Sequence, residues 1–390
     1  MPLRPRAWRA FTGLSLPFLV GLSAPSCERA RPEAESASQP SAAEMARLPS
    51  AATLPTAPIP PPSAAATPAA PAPPPAAATG AEPQRRLRLE PDEPALRLDA
   101  ERFPGSAFFV QQILSDLAVA RLHGLKPVGS TSTVFRASLD APFRAAFKAT
   151  TRARRRGPSA EVAAYRLARV LGLSNVPPAT LRRVPKAALQ RELEPRAAAS
   201  WPQIAERLVV DAQGEVEGAA IFWIDGLRDL PIEERGARET ALRALRQGED
   251  IPESLALLLP QLSNLLVFDW LIGNTDRWSG ANLKGDGAGQ LLFIRDHDFA
   301  FGKLSAEQEQ RLFAPLARSE RYSRGLISRA RALTPEAFER ELAKDPGFAR
   351  TPPRIEAAAL AAVFARRDKL VAHIDGLVAS HGPDKVLPFP

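Results

Sequence analysis

Two stretches in the C-terminal half of this 390-residue chain place acids and amides at the ends of apolar runs. Residues 271–282 read Leu-Ile-Gly-Asn-Thr-Asp-Arg-Trp-Ser-Gly-Ala-Asn, so Asp276 falls just past an apolar segment and Asn282 follows in the same turn-rich stretch. Residues 293–302 read Phe-Ile-Arg-Asp-His-Asp-Phe-Ala-Phe-Gly, so Asp296 and Asp298 follow a second apolar run. A backbone turn after each run can aim these groups into one cleft. Phosphoryl transfer from ATP or another nucleotide needs such a set: a carboxylate to orient the attacking hydroxyl, and oxygen donors for a hard cation such as magnesium or manganese. Asp276 is the candidate for the first task. Asp296 and Asn282 are candidates for the second, with Asp298 as the alternative. Any one of them alone could equally be a loop cap.

Upstream, Lys148 ends an alternating segment at 143–150, and Glu161 stands in the first turn of the next helical pattern. A lysine there can hold phosphate oxygens if a carboxylate fixes its long side chain. Between two strand-like segments within 128–137, Gly129, Ser130 and Thr131 form a polar turn whose backbone amides could approach phosphates.

The elements that must position these groups are legible in outline. A helix is expected from Pro158, capped by Ser159 and stopped at Gly172. Strands are expected at 181–184, 206–210 and 217–223, the last two joined by a turn at Gln213 and Gly214. Beyond Gly226 the pattern is helical, at 231–246, 252–272, 305–316, 335–344 and 353–378. Strands followed by helices predict an α+β fold with segregated lobes. The small β-rich N-lobe, with one main helix, covers about 103–226, and the mostly helical C-lobe about 227–390.

Composition limits the partners. Net charge is +8, with one dense arginine run at Arg152, Arg154, Arg155 and Arg156, but aromatics are only 6%. A nucleic-acid interface wants basic and aromatic residues interleaved, so no nucleic-acid partner is expected. Cys27 is the single cysteine, which excludes a disulfide framework within the chain and a zinc ligand set. Arg4, Arg6 and Arg9 precede an apolar stretch at 11–24 and small residues before Cys27, the pattern of a signal peptide at 1–27. A cysteine at that point predicts lipidation of Cys27 and a membrane-anchored lipoprotein of a bacterial cell envelope. A periplasmic or secreted protein is the alternative. Residues 28–102 contain no aromatic residue and are rich in Pro and Ala, the composition of a disordered tether. The folded part, 103–390, is expected to be a monomer.

The ordered set Phe147-Lys148, Glu161-Val162-Ala163-Ala164-Tyr165-Arg166-Leu167, Val176-Pro177-Pro178, Gly273-Asn274-Thr275-Asp276-Arg277 and Asp296-His297-Asp298-Phe299-Ala300-Phe301-Gly302 resembles the secretory-pathway kinases typified by the Golgi casein kinase. It is similar also to their bacterial relatives and, more distantly, to HipA-like and phosphatidylinositol 3-/4-kinases. The resemblance implies a two-lobed protein-kinase-like fold that binds ATP with magnesium or manganese. It implies that Lys148 contacts phosphates, that Glu161 orients it or approaches the metal, and that Asp276 is the catalytic carboxylate. Asp296 would be the metal-binding aspartate, with Phe301-Gly302 then in register. The activity implied is transfer of the γ-phosphate to a hydroxyl on a protein, sugar or lipid. Trp278 stands where the family has histidine, and His297-Asp298 replaces Asn-Gly. A degenerate kinase fold acting as a ligand- or partner-binding module is therefore the alternative.

Deleting residues 35–82 is expected to leave thermal stability unchanged to within about 2 °C, because that composition offers too little apolar surface to dock on a folded domain. A larger drop in melting temperature would place the start of the folded domain further upstream.

Overall fold

A five-stranded antiparallel sheet carries Lys148, while a helix and the segment after a short strand carry the carboxylates it meets. The computed structural model describes residues 101–129, 133–280, 282–350 and 355–390, excluding the side chains of 349 and 350. The strands are β1 (Leu122–Val128), β2 (Val134–Leu139), β3 (Arg144–Ala149), β4 (Ala179–Pro185) and β5 (Glu215–Phe222), in the order β1-β2-β3-β5-β4. Burial alternates along β2 as the pleat requires, with Phe135, Ala137 and Leu139 inward. β5 lies between β3 and β4 and is buried along most of its length. The register sets Lys148 opposite Ala219 on one side and Val134 on the other. Helix α1 (Val110–Val119) packs on this sheet through Val110, Ile113 and Leu117, beside a ring cluster in which Phe103 and Phe222 lie 5.3 Å apart.

Helix α2 (Gly157–Val170) is buried from Gly157 through Arg169. Arg156 holds the N-cap position, with no side-chain cap bond, and Ser159 sits inside the first turn; this corrects the expected cap. Gly172, at φ +68°, ends the helix as expected. The apolar side chains of α2 belong to the cluster of the helical lobe, with Leu262, Phe268 and Phe338, while the sheet keeps a separate cluster around Phe135 and Phe147. The main helix of the N-lobe is thus packed into the C-lobe core.

That lobe contains α3 (Arg235–Ala244), α4 (Leu258–Ile272), α5 (Ala306–Ala317), α6 (Arg324–Ala332), α7 (Pro335–Ala343) and α8 (Ala357–His381). A small sheet, β6 (Arg228–Asp229), β7 (Lys284–Gly285) and β8 (Leu292–Phe293), lies beside them in the order β6-β7-β8. Apolar on almost every face, α4 is buried nearly throughout and ends where Gly273 turns left-handed at φ +68°. A Cβ at Gly273 would meet the Arg366 guanidinium at 3.3 Å, so conformation and space both favour glycine here.

Two differences from the sequence expectation have local causes. The strand expected at 206–210 is replaced by a helix at Trp201–Arg207, which starts with Pro202 in its first turn and buries Trp201; only Leu208 pairs, in an isolated bridge to Thr151. The long helices expected at 231–246 and 252–272 each begin as a separate 3₁₀ turn, at Pro231–Glu233 and Glu253–Leu255. Helices α1 and α6 were not expected. No helix among the described residues is long and apolar enough to cross a membrane.

Gly218 on β5 leaves room for the Phe147 ring: an added Cβ would lie 2.5 Å from it and 2.7 Å from the Lys148 carbonyl. Gly218→Ala is therefore expected to destabilise by about 1–3 kcal/mol, the usual cost of overpacking, in urea unfolding of the whole chain. A change under about 0.5 kcal/mol would mean that β3 and β5 can separate without strain.

Candidate active site

Lys148 is 6% exposed and lies among three carboxylates. Its Nζ donates to Glu161 Oε1 at 2.5 Å and to Asp296 Oδ1 at 2.7 Å, and Asp298 Oδ2 is 3.7 Å away. Burial alone would lower the lysine pKa, but the Glu161, Asp296 and Asp298 carboxylates hold it well above the ordinary value, so it is an ammonium at every physiological pH. Asp296 is partly buried, which favours its neutral form; the adjacent Lys148 ammonium overrides this and holds it far below the usual carboxylate range. Asp298 goes the other way: burial first, then the Glu161 and Asp296 charges, outweigh Lys148 and raise its pKa. One positive charge faces three acids.

Each of these groups is fixed by backbone. The second turn of α2, not the first as expected from sequence, places Glu161, whose Oε1 also accepts the His297 N–H at 2.9 Å. Asp296 adopts φ +65°, a left-handed conformation that aspartate tolerates better than most residues and that turns the chain sharply after β8.

A second cluster orders the Asp276 loop. Arg277, 2% exposed, donates from Nε to Asp269 Oδ2 at 2.8 Å and from Nη2 to Asp269 Oδ1 at 3.0 Å. Its Nη1 donates to the backbone carbonyls of Asn282 and Arg295. Asn274 Nδ2 donates to Asp269 Oδ1 at 3.2 Å and to the Asp296 carbonyl at 3.3 Å, while its Oδ1 accepts the Asp276 N–H. Asn282 Nδ2 donates to the Asp276 carbonyl at 2.9 Å and to its Oδ2 at 3.3 Å. The Asn282 amide is thus tied to Asp276. The oxygens that lie within 4.8 Å of one another belong to Glu161, Asp296 and Asp298. Sequence reasoning passed over Asp269; the available signal was a lone acid within the apolar run that becomes α4.

Beside Lys148 a cavity of about 290 Å³ opens between the lobes. Val134, Ala146, Ala179 and Ile221 make its apolar walls, and Gly129, Lys148 and Asp296 are among its polar lining. Ser130, Thr131 and Cys27 lie outside the described residues. The arginine run flanks the same segment: the Arg154 guanidinium is 4.0 Å from the Phe299 ring centre.

Comparison with known proteins bears on this geometry. Residues 147–290 match the model of the four-jointed box protein middle domain, a span that includes Lys148, Glu161, Asp276 and Asn282. A glycosaminoglycan xylosylkinase of Danio rerio is 25% identical over 194 residues, 45% of this chain and 46% of that protein. The chain therefore spans about half the length of this curated relative. The crystal structure of the Golgi casein kinase with Mn/ADP bound superposes with a TM-score of 0.55 at 17% identity, covering 71% of this chain and 78% of that one. Hydra Fam20 with sugar gives 0.54 at 17% identity, covering 75% and 97%. The fold is kinase-like. These relatives also correct the expected location: they are a fish xylosylkinase and kinases of the Golgi and Fam20 type, not bacterial membrane lipoproteins, and the envelope lipoprotein expectation falls with that.

His297 gives the site a pH signature. Its Nε2–H donates to the Ile294 carbonyl at 3.2 Å, and burial, reinforced by Arg277, pushes its pKa down to about 3. Between that value and the ordinary 6.5, the unfolded chain binds a proton that the folded chain does not, so stability falls as pH drops through this window. Its share is about 2 kcal/mol at pH 5. Asp298 works in the opposite direction, because its raised pKa lets the folded chain keep a proton longer. The difference between wild type and His297→Gln in metal-free denaturation at about pH 7 and 5 isolates the histidine. Equal slopes would show that His297 takes up its proton alike in the folded and unfolded chains.

Proposed function

We propose that this chain is a nucleotide-dependent phosphotransferase that moves the γ-phosphate of ATP to a hydroxyl on a protein or sugar. The observation that carries the reading is the placement of Lys148 between Glu161 and Asp296 at the polar end of an apolar cavity. The apolar walls suit a base, and the buried ammonium suits the phosphates next to it.

Three acids gather around the Lys148 ammonium, and burial, with the Glu161 and Asp296 charges adding to it, raises the pKa of Asp298. A hard divalent cation fits such a set of oxygen donors, and Glu161, Asp296 and Asp298 are the residues to hold it. Magnesium or manganese held there would neutralise phosphate oxygens and keep the nucleotide in place. The Golgi casein kinase structure with Mn/ADP bound supports the pairing of nucleotide and metal.

Asp276, half-buried and held by Asn274 and Asn282, is the group for the acceptor. It takes the hydroxyl proton on a carboxylate oxygen as the acceptor oxygen bonds to the γ-phosphorus. The bond from that phosphorus to the bridging oxygen breaks, and nucleoside diphosphate leaves. Asn282 orients Asp276, a role that its two hydrogen bonds support better than metal ligation.

In the full chain, thermal stabilisation by ATP should depend on manganese or magnesium. Asp296→Ala is expected to abolish the metal-dependent part. Asp276→Ala should keep nucleotide binding and lower transfer by about 10²–10⁴-fold. Nucleotide binding with no transfer in the wild type would favour the binding-module reading, to which Trp278 near Asp276 lends weight. If metal and nucleotide produce no stabilisation, the phosphotransfer reading fails.

A further inference from the structure

Helix α2 is buried on every side yet carries three charges, Glu161, Arg166 and Arg169. Buried charges need partners. Glu161 has Lys148, while the two arginines reach into the other lobe. Arg169 Nε donates to Glu341 Oε1 at 2.6 Å, and Arg166 Nη1 reaches the same oxygen at 3.4 Å. Arg166 Nη2 donates to Asp345 Oδ2 at 3.5 Å. Glu341 is 3% exposed and Asp345 fully buried, so water does not screen these pairs. Although burial opposes ionisation, Lys344 and Arg169 hold the Glu341 carboxyl below its usual range, and the pair is charged.

Asp345 also accepts the N–H groups of Gly347 at 2.9 Å and of Leu181, on β4, at 3.4 Å. The later turns of α2 are therefore fastened at once to α7, to the segment after it and, through that segment, to the sheet. Glu161, in the second turn, is anchored by the Lys148 ammonium and the His297 N–H. We infer that Glu341 and Asp345 are positioning residues that hold α2 from the C-lobe and so keep Glu161 against Lys148, leaving the Lys148–Glu161 pair assembled before nucleotide arrives. The consequence for transfer rests on the phosphotransferase reading above; the mechanical claim does not.

Hydrogen exchange of the full chain without nucleotide tests the mechanical claim. In Glu341→Gln, amides of α2 should exchange at least about tenfold faster, while those of β5 stay at the wild-type rate. In the same variant the KM for nucleotide should rise about tenfold with kcat at saturation nearly unchanged, because nucleotide then has to select the fraction with Glu161 in place. The paired change Arg169→Met with Glu341→Leu removes both charges at similar volume and should restore slow exchange. Should Glu341→Gln not fold, Asp345→Asn gives the same comparison with longer, weaker contacts. The inference is overturned if a folded variant exchanges α2 at the wild-type rate, or if α2 and β5 quicken together as in global destabilisation. It is also overturned if kcat falls while KM holds. Faster α2 exchange in a protein that never binds nucleotide would uphold the clamp and sink the phosphotransferase reading instead.

Discussion

The Arg277 guanidinium holds together the segments that carry the candidate site residues. It spans the end of α4 through Asp269, the Asp276 loop through the Asn282 carbonyl, and the approach to Asp296 through the Arg295 carbonyl. A planar five-donor group suits this work, because a rigid fork can meet a carboxylate with one edge and two carbonyls with the other. Burial makes the arrangement demanding as well as strong. An unpaired guanidinium here would have no water to turn to, so the loop conformations that satisfy it are selected over those that do not. The positions of Asp276 and Asp296 relative to each other thus follow from a residue that need not touch substrate.

Around Lys148 the requirement is charge balance. Three carboxylates and one ammonium in a poorly solvated space do not neutralise one another, and the strain is unequally shared: Asp296, closest to the lysine among the two aspartates, stays ionised easily, while Asp298 resists ionisation. A site with that imbalance is poised for a cation. The left-handed backbone at Asp296 belongs to the same design, since it turns the carboxylate back toward Lys148 immediately after β8.

What could be read from sequence divides along the distance between partners. Lys148 and Glu161 lie on consecutive elements, and Asp276 and Asp296 each end an apolar run, so residue type and local pattern suffice to suspect all four. The α2, α5 and α7 segments were legible as helices for the same reason, α2 with a stop at Gly172 as well. The failures are also physical. Residues 206–210 looked like a strand because Leu208, Val209 and Val210 are apolar and branched, but Trp201 and Pro202 had already committed the preceding residues to a helix. Helix α1 was passed over although Val110, Ile113 and Leu117 recur at helical spacing. Asp269 and Arg277 are eight positions apart and could have been paired by asking what neutralises an acid in an apolar helix. Arg169 and Glu341 are separated by 172 positions, and nothing local announces that contact.

That last class of interaction explains why a helix of such modest hydrophobicity can be buried all round. An apolar stripe would have been enough to seat α2 against one layer. Between a sheet and α7 it has no solvent face on which to put its charges, and each charge must instead be met by a partner fixed elsewhere. Glu161 meets one lobe's lysine, and Arg166 and Arg169 meet the other lobe's acids. The price in desolvation is high, and the return is registry, because a helix pinned by three charge contacts at opposite ends cannot slide by a turn without stranding all of them. The same residues that make α2 an unpromising core helix therefore make it a fixed one, and a fixed helix is what a preassembled Lys148–Glu161 pair requires.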